Sequence, residues 1–139
     1  MTALSFTPVD GQNRRRVRRR AAPPPPVSLI NKIGEPHTFT VVVETEANNG
    51  QWGPVENAHV TITLTNAGGA VATPPGPFTG VTDADGHFSC TINSATIGTI
   101  TAHAVATWQS LTAATDGIPP NGSDVVKTYV TVQMRITFQ

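Results

Sequence analysis

Much of this chain alternates between apolar and polar side chains at every second position. In "HTFTVVVETE" (37–46), Phe39, Val41 and Val43 stand between Thr38, Thr40, Val42 and Glu44. "AHVTITLTN" (58–66) sets Val60, Ile62 and Leu64 between His59, Thr61, Thr63 and Thr65. "HFSCTIN" (87–93) does the same with Phe88, Cys90 and Ile92. A period of two sends successive side chains to opposite faces of an extended chain, so each stretch predicts a half-buried β-strand, and the valine and threonine content agrees. "GTITAHAVATW" (98–108) and "SLTAAT" (110–115) predict two more strands, and "VVKTYVTVQMRITFQ" closes the chain with another. Between them lie the turn-forming stretches "EANNGQWGP" (46–54), "NAGGA" (66–70), "TPPGP" (73–77) and "DADG" (83–86), then the loop "DGIPPNGSD" (116–124). No segment carries a 3.6-residue period. About seven short strands with regular turns predict an all-β fold, an antiparallel β-sandwich, with a jelly roll or small barrel as the other closures.

Five of these stretches, "NKIGEPHTFTV" (31–41), "PVENAHVTITL" (54–64), "TDADGHFSCTI" (82–92), "GTITAHA" (98–104) and "SDVVKTYV" (123–130), follow one another in a familiar order and spacing. Together they resemble the immunoglobulin-like repeats of bacterial surface and phage structural proteins, the invasin-like class. The resemblance covers roughly residues 27–136. It implies an immunoglobulin-like β-sandwich and a non-catalytic role as a rigid spacer or an adhesive surface.

Charge changes this picture at the N-terminal side. The formal net charge of zero conceals a division. Residues 1–26 hold Arg14, Arg15, Arg16, Arg18, Arg19 and Arg20 against Asp10, a balance of +5, and residues 27–139 stand at −5. Directly after the arginines come Pro23 to Pro26, which favour an extended polyproline II rod. Residues 1–26 are therefore expected to be an extended N-terminal arm on a spacer, and residues 27–139 the sandwich. The arginines are the expected anchor. They suit an acidic protein surface on a larger assembly, capsid or sister subunit, because guanidinium pairs bidentately with carboxylate. Non-specific binding to a polyanion is the other use, without sequence readout, since no aromatic side chains are interleaved for base stacking.

The C-terminal stretch carries a second signal. Val130, Val132, Met134, Ile136 and Phe138 alternate with Thr131, Gln133, Arg135 and Thr137. Read from Asp124, this strand would far exceed the usual 3–10 residues. With the chain read as ending at Gln139, residues 130–138 either fold back onto their own sheet or add to a neighbour's open edge.

Candidate chemistry adds little. His37, His59, His87 and His103 fall in four separate predicted strands without ligand spacing, so no metal site is expected. Asp83 and Asp85 resemble half of a calcium loop, but the later acidic ligand is missing because "HFSCTIN" follows, and a tight turn at Gly86 explains them. Asp116 and Asp124 flank a loop that needs no ion. Cys90, the only cysteine, shares the apolar register of Phe88 and Ile92 and reads as a buried thiol, which excludes an intrachain disulfide. No serine sits in a nucleophile elbow, and no carboxylate pair is placed across a cleft. No catalytic residue and no cofactor are expected. Trp52, in a Gly/Asn loop, is a possible contact at the sandwich tip or a cap on the core. No export signal and no membrane helix are read from the chain. The expected role is a non-catalytic structural protein, homo-oligomeric or assembly-bound, foremost a phage virion decoration. The alternative is a repeat from a bacterial cell-surface adhesin.

Overall fold

A computed structural model describes residues 2–9, 28–131 and 135–138, and the described residues form ten strands and no helix. The strands are β1 (Thr2–Val9), β2 (Ser28–Lys32), β3 (His37–Glu46), β4 (Trp52–Pro54), β5 (His59–Ala67), β6 (Phe78–Val81), β7 (His87–Ile92), β8 (Gly98–Trp108), β9 (Leu111–Ala114) and β10 (Val125–Val130). β3 is the centre of one sheet, with β1 along one edge and β7 followed by β4 along the other. The second sheet runs β2-β10-β8-β5-β6, and β9 continues the line of β10 along β8. Every pairing is antiparallel except β2 with β10, which is parallel. The chain changes sheet between β1 and β2, β2 and β3, β4 and β5, β6 and β7, and β7 and β8. That order makes an immunoglobulin-like sandwich.

The alternation read from the sequence becomes the core. Phe39, Val41 and Val43 of β3 and Ile92 of β7 are buried against Val60 and Ile62 of β5 and Ile100, Ala102, Ala104 and Ala106 of β8. Alanines in the middle of one sheet leave volume for the larger row on the other. On the outward row of β3, Thr38 and Thr40 share hydroxyl hydrogen bonds with Thr91 (2.8 Å) and Ser89 (2.9 Å) on β7.

Two expectations are corrected. Thr2–Val9 is not part of an arm: it is a strand of the sandwich, laddered to β3 from Thr2↔Thr45 to Val9↔Thr38, with the Leu4 side chain fully buried in the core. The cationic stretch is therefore bounded by two strands, β1 in one sheet and β2 in the other. The arginines themselves, at positions 14–20, lie outside the described residues. The C-terminal strand is also shorter than its alternation suggests. β10 ends at Val130, and 135–138 carry no strand. Its partners explain the stop: Val130 pairs with Lys32, the last residue of β2, and Tyr129 with Gly98, the first of β8. Past Val130 neither neighbour offers a ladder. Val132 and Met134 lie outside the described residues, while Ile136 and Phe138 are almost wholly exposed.

Candidate functional site

The strand register shows where the unassigned signals leave the sandwich. β3 begins at one end of it, and Val9 closes β1 opposite Thr38 at that same end. Val130 closes β10 there too, beside Lys32, and its carbonyl accepts a 2.9 Å hydrogen bond from the Ile33 N–H. The arginine-bearing connection and the C-terminal segment thus depart from a common end. The turn leading into β3 is fastened here by Gly34 N–H, which donates to the Ser94 carbonyl (2.8 Å). Val71, whose N–H donates to Ser94 Oγ, and Ile97, next to the start of β8, are exposed apolar side chains at this end. Val9 and Val130, the described residues after which the cationic sequence and the C-terminal segment begin, therefore share one pole with an apolar patch, while Ser28, where the chain resumes in β2, lies towards the other.

Trp52 belongs to the opposite pole. It opens β4 opposite Glu46, after a tight turn over 47–51, and is partly exposed. The structure brings it to a tip, at the end of the sandwich away from Val9 and Val130.

The remaining polar candidates make local hydrogen bonds. His103 Nδ1 lies 2.8 Å from Asp124 Oδ1, and Thr115 Oγ1 donates to the same carboxylate oxygen at 2.6 Å while accepting from the Ala104 N–H at 3.0 Å. The carboxylate oxygen is the nearer partner of both groups, and the hydroxyl and imidazole themselves are 3.4 Å apart. A base relay needs the imidazole in the middle, so that it can take the hydroxyl proton. This cluster instead ties β8 to the segments on either side of the 116–123 loop. Asp83 accepts hydrogen bonds from the Asp85 and His87 N–H groups, both 2.9 Å, closing the turn before β7. The His87 N–H is the main reason its carboxyl sits below the usual value. Asp116 is held low chiefly by the Ile118 N–H and then by the Asn121 amide. Both carboxylates serve turns, and no group of His, Cys, Asp and Glu suited to a metal ion forms among the described residues.

Cys90 is buried, as its register predicts, and burial pushes its thiol up to about 11. His37 departs from the surface position expected of the histidines: it is buried, with its ring edge-to-face on Phe39 at 4.8 Å. One feature has no counterpart in the sequence reading. On β10 the inward row is Val125, Lys127 and Tyr129, so a lysine faces the core, 2 % exposed, with Nζ 2.5 Å from Asn31 Oδ1 on β2. Val130, the last residue of β10, lies on the other face. A lysine inside an alternating strand reads as solvent-facing unless the register is known.

No family model matches the sequence, and no curated protein matches it. Among solved structures the chain is similar to the C-terminal 282-residue fragment of intimin, solved in complex with the intimin-binding domain of the translocated intimin receptor. Identity is 21 % and the TM-score 0.36, over 68 % of this chain. The match spans 27 % of that fragment's length.

Proposed function

We propose that this chain is a non-catalytic interaction module, an immunoglobulin-like sandwich that docks through one pole onto an acidic protein surface. The observation that carries the reading is the common exit of the two termini-proximal segments. The connection holding six arginines and the tail holding Ile136 and Phe138 leave the same end, beside exposed Val71 and Ile97. Charge supplies the encounter and orientation, and the apolar side chains supply contact area, the usual division between rim and centre of an interface. The five motifs that resemble bacterial surface repeats fall on or beside β3, β5, β7, β8 and β10, which supports a module of bacterial cell-surface type as the first setting. Virion decoration is the second setting for the same pole.

The test uses the full chain and its natural assembly. Tagged protein is followed through separation of the producing bacterium's envelope from its virions. A variant with serine at all six arginine positions is compared alongside. The wild type is expected in one particulate fraction and to be released by raised salt, and the variant to remain soluble. Undiminished retention of the variant would sink the docking reading, and the fraction that holds the wild type decides between the two settings.

A further inference from the structure

We propose that Lys127 and Asn31 join covalently, forming an amide cross-link between β10 and β2 with loss of ammonia. The inference is independent of the docking pole.

Three observations carry it. Lys127 Nζ is inside the sandwich, where a side chain that almost never goes fully under is 2 % exposed. Burial of an amine favours its neutral form, which bears the nucleophilic lone pair. Secondly, that nitrogen is 2.5 Å from the Asn31 carboxamide oxygen, shorter than the usual range of about 2.7–3.2 Å for a nitrogen–oxygen hydrogen bond. Nζ is therefore pressed against the group whose carbon it would attack. Thirdly, the partners are held by backbone. β2 and β10 are adjacent parallel strands with Leu29 opposite Lys127 and Asn31 opposite Tyr129, so the two side chains are diagonal neighbours on one face. Reactants fixed in contact by a ladder react as one molecule, with effective molarities on the order of 10⁵ M or more.

The step balances without a further reactant. Neutral Nζ adds to Asn31 Cγ, and the new C–N bond forms as the Cγ–Nδ2 bond breaks. One proton passes from Nζ to the departing nitrogen, which leaves as ammonia, and nothing is oxidised or reduced. The other ionisable side chains buried at this end are Tyr129, opposite Asn31 in the ladder, and His37 at the start of β3. The product would fasten the strand that follows the arginine connection to the strand that precedes the C-terminal segment. It sits on the edge of the sheet, where a two-strand ladder is otherwise easiest to peel.

Intact-mass measurement of the denatured full chain tests this. The expected mass, after allowing for removal of Met1, is below that of the sequence by one ammonia, about 17 Da. After trypsin, the fragment ending at Lys32 should remain joined to the one containing Lys127. Asn31→Ala and Lys127→Met should each restore the full mass. Ring closure at Asn49 or Asn121, each followed by glycine, would also lose ammonia, but it joins no peptides and survives Asn31→Ala. A full-mass wild type, or a deficit without the joined fragments, overturns the proposal.

Discussion

Single positions carry the sharpest expectations. Gly98 opens β8 at φ +140°, and a Cβ there would lie 2.4 Å from both the Ala67 carbonyl oxygen and the Ala70 nitrogen. Those are backbone atoms that cannot swing aside. Gly98→Ala should cost about 3 kcal/mol, from strained φ and forced overlap together, read as a lower midpoint in urea. Tyr129 makes the opposite case. Its hydroxyl is buried with no hydrogen-bond partner among the described residues, and burial, with Glu35 nearby, pushes its ionisation up. Tyr129→Phe deletes that hydroxyl and keeps the ring, so stability should hold or rise by about 1 kcal/mol in the same assay. For Cys90, a rise from 9.0 to about 11 leaves roughly a hundredfold less thiolate at pH 8. Alkylation of the native protein should be slower than in denaturant by at least that factor. The linkage has a definite sign. A thiol that resists ionisation in the fold contributes nothing to the pH dependence below 9.0, and costs stability as the pH rises from 9.0 towards about 11. Cys90 was legible because its neighbours two residues away are Phe88 and Ile92. Lys127 and His37 were not, because inward polar residues break the pattern that reveals facing.

At the scale of elements, the long central strands were legible and the short edge ones were not. β3, β5, β7 and β8 alternate cleanly because each has one face on the core. β4 and β6, of three and four residues, are too brief to show a period: the stretch of β4 reads as turn, and that of β6 falls between two turns with no assignment. β1 was hidden by Pro8, which an edge strand tolerates because one of its sides needs no ladder. The chain holds this strand from two directions. β3 supplies the ladder, and the Gly122 N–H of the 116–123 loop donates to the Leu4 carbonyl at 2.6 Å. Leu4→Ala should therefore cost about 2–5 kcal/mol, whereas an arm outside the fold would tolerate it without loss. Deleting residues 1–9 should cost more still and uncover the edge of β3. Self-association, seen by light scattering, is the expected outcome.

For the molecule as a whole, opposite charge is carried by two parts of one polypeptide. Residues 1–26 stand at +5 and the remainder at −5, and the positive part is a connection between sheets rather than a trailing end. Composition made the division visible, but only the pairing of β1 shows that the segment is tethered on both sides. Binding to a polyanion such as heparin should fall steeply with salt, with a log–log slope of about −0.7 to −0.9 for each anionic group engaged. Serine at all six arginine positions should flatten that slope towards zero while leaving the urea midpoint unchanged. A slope equal to that of the wild type would move the binding to other residues.

The placement of β1 has a consequence for a nicked protein. One protease cut in the arginine run would divide the polypeptide, yet the eight-residue strand would keep its whole ladder and its leucine plug. The released peptide would then be a ligand of the larger fragment. A synthetic copy of residues 2–9 offered in trans would compete for the same slot, which makes the first strand an exchangeable part of an otherwise continuous chain.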